Sequence, residues 1–170
     1  MSGAFNSELE PLFEPLQLNG TQLANRFVMP GMQRGWCRDG RPEPRLADYY
    51  RERAIGGVGL IITEACAVDH ESATQGPYYG RLNRATMEGW RDCIKAAHQG
   101  GAHMLVQLWH EGAIRRSGGD GPYAHFPTLR PSGLIQPRNP NGRPATTAPP
   151  SHNRDAFVRS AMLAQEAGAD

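Results

Sequence analysis

The side chains that could ligate a metal in this chain include His98, His103 and His110. They fall on a helix, a strand and a strand end, with no carboxylates at ligand spacing, so no metal site is expected. Cys37, Cys66 and Cys93 are odd in number and widely spaced, and no CxxC pair exists. Neither a zinc site nor a disulfide framework is indicated, and a reduced, cytoplasmic setting is the simplest reading. Cys66 reads as a packing thiol, since nothing in its sequence surroundings lowers its pKa. Gly57-Val58-Gly59 matches part of a dinucleotide fingerprint. It follows a helix and precedes a strand, the reverse of what the fingerprint needs, so it is a helix stop. Arg115-Arg116 reads as a solvated loop pair that a phosphate-bearing ligand could use. Tyr78-Tyr79 either lines a pocket or packs a loop onto a rim. Gln107, closing an apolar run, reads on its own as a surface amide.

Bulk properties narrow the field. The 170 residues suffice for one domain with a core. Lys plus Arg is 18 and Asp plus Glu is 17, a net charge of +1, which gives no reason to expect nucleic acid or an acidic membrane as partner. Met1 to Glu10 has no basic region followed by an apolar run, so no signal peptide is expected. The apolar run around Val58 to Ile62 is far too short to span a bilayer.

The elements that must position any site follow a repeated pattern. Alternation on both sides of Asn19-Gly20 predicts a hairpin over Leu16 to Asn25, a lid on one end of the domain. Arg26 to Met29 reads as a short buried strand, followed by a polar, Gly-rich stretch to Pro44. The spacing of Leu46, Tyr49, Tyr50 and Arg53-Ala54 predicts a helix over Arg45 to Ile55, stopped by Gly56-Gly57. Gly59 to Thr63 suits a strand buried on both faces. A polar loop over Asp69 to Asn83, a helix capped by Thr86 and a third strand over Ala102 to Leu108 repeat the unit. A long loop over 109–152 then leads to an amphipathic helix over Asp155 to Ala167, with Phe157, Val158, Ala161, Met162, Leu163 and Ala164 on or beside its apolar face. Near-continuous apolar strands alternating with helices predict an α/β fold with a parallel sheet and right-handed crossovers. About three β/α units are present, where a (β/α)8 TIM barrel typically needs about 250 residues. The expectation is a single domain over 1–170: a lid over 1–25, then the units of an incomplete barrel over 26–170.

Four segments make the reading more specific. Leu12-Phe13-Glu14-Pro15-Leu16 with Leu23 to Met29 resembles the start of old yellow enzymes and related NADH:flavin oxidoreductases. Asp48 to Ala54 with Gly56-Gly57 looks like their first helix, and Leu60-Ile61-Ile62-Thr63-Glu64-Ala65 resembles their second strand. Gly100-Gly101 followed by Val106-Gln107-Leu108-Trp109-His110 resembles the third.

The resemblance implies FMN over the C-terminal mouth of the barrel, with NAD(P)H as electron donor and a small-molecule substrate such as an activated alkene, as in ene-reductases. It places Pro30, Gly31, Met32 and Gln33 beside the flavin ring, and Ala65 where backbone approaches it. Gln107 meets the pyrimidine edge, which its one acceptor and two donors suit. Trp109 and His110 fall near the substrate pocket, with His110 making a structural hydrogen bond. Some positions depart from the family pattern. Gly31 stands where proline is usual, Gln33 where Thr or Cys tunes the flavin, and Ala113 where Arg often follows. Pro137 to Pro150 looks like an irregular loop. The resemblance also implies that the His/His or His/Asn pair, the Tyr proton donor, the flavin-edge Arg and the phosphate loops lie beyond Asp170. The chain is therefore expected to hold the pyrimidine-side half of an FMN site. Two outcomes follow: the N-terminal part of an FMN-dependent oxidoreductase, or an inactive half-barrel that needs a complementary half or a homo-oligomeric partner.

Overall fold

A computed structural model describes residues 7–115, 123–129 and 150–170. Arg116 and the irregular stretch expected over 137–149 lie outside the described residues, and the expected 109–152 loop is described only in part. The strands are β1 (Leu16–Leu18), β2 (Thr21–Leu23), β3 (Val28–Met29), β4 (Cys37–Arg38), β5 (Arg41–Pro42), β6 (Leu60–Ile62), β7 (Cys66–Ala67), β8 (Gly80–Arg81), β9 (His103–Leu105) and β10 (Leu108–Trp109). The helices are α1 (Glu10–Phe13), α2 (Pro44–Ile55), α3 (Met87–Gln99) and α4 (Pro150–Ala167).

The expected hairpin forms, with β1 antiparallel to β2. Asn19 and Gly20 both take positive φ, 45° and 89°, as a tight two-residue turn requires. A second hairpin, β4–β5, turns through Asp39 and Gly40 at φ 50° and 80° inside the stretch read as polar and Gly-rich. Its Asp-Gly pair was the available signal.

The core sheet is parallel, in the order β3-β6-β9, with Met29, Ile61 and Met104 in register. In β6, between two neighbours, Leu60 and Ile61 are buried. The strand expected to be buried over Arg26 to Met29 is a correction: Met29 alone is buried and Val28 is 45% exposed. Successive side chains of a strand point to opposite faces, so Met29 enters the core and Val28 points to the open face of β3. Pro44 opens α2, where its missing N–H costs nothing. Leu46, Tyr50 and Ala54 on α2 meet Trp90, Cys93, Ile94 and Ala97 on α3 in the core above the sheet.

Four expectations change further. Thr86 does not cap α3 with its side chain; its hydroxyl donates to the Arg81 carbonyl, and Asn83 Oδ1 accepts the Ala85 and Thr86 N–H groups instead. The third strand divides into β9 and β10, and β10 joins a second parallel sheet in the order β10-β7-β8. β8 lies inside the segment expected to be a polar loop. On α4, Ala156, Ser160, Leu163, Ala164 and Ala167 face inward while Phe157, Val158 and Met162 are exposed. Small residues bring α4 close to the fold, where Ser160 Oγ donates to Leu82 O at 3.1 Å and accepts the Asp69 N–H at 2.9 Å.

Asp170 ties the end of the chain to β9. Its N–H donates to Met104 O at 3.1 Å, and its carboxylate accepts the Met104 N–H at 2.7 Å. The carboxylate also meets His98 Nε2 at 2.7 Å and His103 Nδ1 at 2.6 Å. Burial works to raise this carboxyl's pKa, but the Met104 N–H and the two imidazoles outweigh it and hold it below its usual 3.8. A depressed carboxyl stabilises the fold above its unfolded value, and the contribution is lost as pH falls through the folded value. Asp170→Asn should therefore flatten the acid limb of a stability-against-pH curve below about pH 4, read by urea midpoints. An unchanged acid limb would contradict this role.

Candidate functional site at the strand ends

The site is built where β3, β6 and β9 end. In the gap between β9 and β10, the Gln107 N–H donates to Thr63 Oγ1 at 2.9 Å instead of to a ladder carbonyl. The Thr63 N–H donates to Leu105 O at 2.9 Å, and Gln107 O accepts the Cys66 N–H at 2.9 Å. The Gln107 backbone is thus fixed on both sides while its side chain stays exposed. Gly31 lies directly against it. A methyl group on Gly31 would come within 2.6 Å of Thr63 O and 2.9 Å of Gln107 Oε1. No side chain fits there, which gives the departure from proline at this place a local physical reason.

Beneath this mouth sits Glu64, fully buried, which sequence reasoning noted only as part of a motif. A carboxylate directly after an apolar strand was the signal. Its Oε1 accepts from Gln33 Nε2 at 3.1 Å and from the Cys37 thiol at 3.5 Å, and its Oε2 accepts the Arg34 N–H at 2.7 Å. The Glu64 N–H donates to Tyr50 Oη at 2.9 Å. Burial raises the Glu64 pKa, opposed by the Arg34 N–H, the thiol, the Arg34 charge and the Gln33 amide. Burial, then Glu64, raises the Cys37 thiol, so it stays protonated. Ala65, half-buried, follows in sequence.

Trp109 and His110 belong to an adjoining rim. The Tyr79 ring stacks on Trp109 at 4.9 Å, so this loop tyrosine packs onto the rim while Tyr78 is exposed. His110 Nδ1 accepts the Gly112 N–H at 2.9 Å, which places the neutral ring's proton on Nε2. Nε2 then donates to Ser72 Oγ at 3.0 Å, leaving the Ser72 hydroxyl to donate to His70 Nδ1 at 2.8 Å. Arg115 corrects the expectation of a solvated loop: it is 1% exposed and donates to Phe126 O at 2.6 Å and to Tyr123 O. The 123–129 segment folds over it. Cys66 is fully buried with its pKa raised by that burial, in keeping with a packing thiol.

Burial foremost, then the charges of His70, Arg115 and Arg81, lowers the His110 pKa to about 4. The unfolded imidazole titrates near 6.5, so between pH 4 and 6.5 the unfolded chain binds the extra proton and stability rises with pH. His110→Gln should remove roughly 2–3 kcal/mol of that rise across the window, read by denaturant midpoints at pH 4.5 and 7.5. Equal slopes in both chains would sink the assignment.

Among the described residues no cluster of three His, Cys, Asp or Glu can hold a metal, and His98 and His103 are engaged with Asp170. What the mouth offers is different. Pro30, Met32, Gln33 and Gln107 are exposed, while Gly31 and Ala65 are half-buried. Two side-chain amides, a 41% exposed Met32 and a close-packed glycine suit a flat ring with a polar edge. The structure brings Gly31 against Gln107 and ties Gln33 to Glu64, the neighbour of Ala65. Trp109 and His110 are joined instead to residues 70–79.

A family model described as the NADH:flavin oxidoreductase / NADH oxidase family matches residues 11–170. The chain is 33% identical over 104 residues to a 12-oxophytodienoate reductase-like protein of Solanum lycopersicum, covering 61% of this chain and 29% of that protein. It is 35% identical over 102 residues to a chanoclavine-I aldehyde reductase of Penicillium roqueforti, covering 59% of this chain and 28% of that protein. The solved structure of an old yellow enzyme homologue from Zymomonas mobilis superposes with a TM-score of 0.75 at 28% identity, covering 94% of this chain and 46% of that one. The chain thus spans less than half the length of these relatives.

Proposed function

The chain belongs to the NADH:flavin oxidoreductase / NADH oxidase family, and on that premise we propose that it carries the pyrimidine-side half of an FMN site in an ene-reductase-like oxidoreductase. The family works with FMN and NAD(P)H. When bound, FMN supplies hydride transfer from the reduced nicotinamide to an activated alkene such as an enone, and the protein supplies binding and polarity. Gln107 and Gln33 offer amide groups to the ring edge, Pro30, Gly31 and Met32 line it, and Ala65 leaves room for the backbone beside it. Trp109 and His110 border the substrate pocket. A cytoplasmic setting fits the three buried, free cysteines. No helix among the described residues is long and apolar enough to cross a membrane.

The observation that carries this reading is the contact between Gly31 and Gln107, which puts a side-chain amide and a bare backbone together at the strand ends. A second reading rests on the open surfaces. Val28 on β3, Leu105 on β9 and Phe157, Val158 and Met162 on α4 are exposed. Three parallel strands with such edges suit a half-barrel, built of three β/α units, that acts with a complementary half or a second copy. One experiment separates the two. The chain is purified, its mass in solution is measured, and flavin absorbance is recorded with and without added FMN and an enone. A monomer with stoichiometric FMN that reduces the enone supports a self-sufficient site. A colourless oligomer supports the half-barrel.

A further inference from the structure

Resting on the FMN reading, we propose that Glu64 is a positioning residue that fixes which end of the Gln33 amide is presented at the mouth, and so the polarity of the hydrogen bond offered to the flavin. The carboxylate receives donors from three directions: Gln33 Nε2, the Arg34 N–H and the Cys37 thiol. Both carboxylate oxygens act as acceptors in this cluster, Oε2 for the Arg34 N–H and Oε1 for the Cys37 thiol, so the NH2 end of Gln33 faces Oε1. The amide is planar, and its carbonyl end therefore lies on the other side, on an exposed residue. Glu64 is itself held by the backbone: its N–H bonds Tyr50 Oη at 2.9 Å, and its chain neighbour Thr63 is pinned to Leu105 and Gln107. The titratable and charged groups facing it are Arg34 from the loop before β4, Cys37 from β4, Tyr50 from α2, Cys66 from β7 and Cys93 from α3. Burial keeps the phenol and the three thiols neutral, which leaves Arg34 as the one charged neighbour of this set.

The isosteric change Glu64→Gln inverts the arrangement. The new amide keeps an oxygen for the Arg34 N–H and turns its NH2 toward Gln33, which must flip and present its own NH2 at the mouth. An acceptor beside the ring disfavours the electron-rich reduced flavin, and a donor favours it. The midpoint potential of the FMN-loaded chain should therefore rise in the order wild type, Gln33→Leu, Glu64→Gln. Glu64→Gln also removes a negative charge, so it is made on the Gln33→Leu chain as well. Its positive shift should be larger with Gln33 present than without it; equal shifts overturn the proposal. On the apo chain, 15N-labelled, one Gln33 amide proton should be shifted and slow to exchange, and Glu64→Gln should abolish that. Gln33 amide protons at the shifts and fast exchange of a solvated glutamine side chain in wild type overturn Glu64's hold on Gln33. If Glu64→Gln does not fold, Gln33→Leu, on an exposed side chain, still decides the case, since an unchanged potential overturns the proposal. A chain that takes up no FMN overturns the functional reading instead, and the amide signals still decide the orientation.

Discussion

Replacing Arg81 with methionine is expected to destabilise the chain by roughly 2–4 kcal/mol. Arg81 is 5% exposed, yet no carboxylate among the described residues forms an ion pair with it. Its guanidinium instead donates to three carbonyls, Val68 O at 3.3 Å, His70 O at 2.6 Å and Thr74 O at 3.0 Å, with the Tyr123 ring at 4.3 Å across its face. Burial lowers its pKa, but a guanidinium remains charged in protein interiors. The segment after β7 turns sharply, and these carbonyls have left the ladder. Losing Arg81 takes from Thr74 O its donor, at about 1–3 kcal/mol, while Val68 O keeps the His70 N–H at 2.7 Å and His70 O keeps the Ala73 N–H at 3.0 Å. The loss is offset in part by no longer burying a charge. Lysine should rescue little, because one ammonium cannot span the fork. Urea unfolding of Arg81→Met and Arg81→Lys provides the measurement. Losses below 1 kcal/mol would show that the three bonds contribute little. The same segment carries Tyr79 against Trp109 and Ser72 against His110, so amide exchange over 68–75 should quicken with the loss of stability.

The contrast between what the sequence revealed and what it hid follows the range of the forces involved. The Asn19-Gly20 hairpin, α2 with its Leu46-Tyr50-Ala54 stripe and the central strand β6 rest on local turn chemistry and periodicity, and all three were legible. β7, β8 and β10 are two residues each, too short to show a period, and exist because parallel neighbours pair them. Arg115 was read as solvated on its charge alone, yet the carbonyls of Tyr123 and Phe126, in a segment with no periodic signal of its own, fold back to take its guanidinium. On α4 the apolar side chains drew attention to one face, while the helix docks through Ala156, Ser160 and Ala164. Small size and one hydroxyl decided the contact, and hydropathy does not register either. At the candidate site, Gly31 and Gln107 stood out through family resemblance, 76 positions apart in the chain (107 − 31). Their contact depends on the β3-β6-β9 register. Glu64 was hidden because its burial and its three donors come from segments that only the fold assembles.

Adding one methyl group at Gly31 should cost FMN affinity more than any change to the exposed side chains around it. In Gly31→Ala the new carbon would meet Thr63 O at 2.6 Å and Gln107 Oε1 at 2.9 Å. The Gln107 amide can swing away, but Thr63 O belongs to the backbone just after β6 and cannot. The Pro30–Gln33 loop must therefore lift, at about 1–3 kcal/mol of strain. Lifting moves both amides of the proposed ring edge at once, because Gln107 loses its seat on Gly31 and Gln33 is drawn off Glu64. Since each 1.4 kcal/mol is about tenfold in affinity, FMN should bind about 10- to 100-fold more weakly, with urea stability lower by about 1–3 kcal/mol. Met32→Leu, on an exposed side chain in the same loop, controls for general disturbance and should leave stability within about 0.5 kcal/mol. Titration of FMN fluorescence against each chain supplies the affinities. A Gly31→Ala chain that binds FMN as tightly as wild type would mean that the ring does not rest on this loop, and that the Gly31–Gln107 contact serves packing alone.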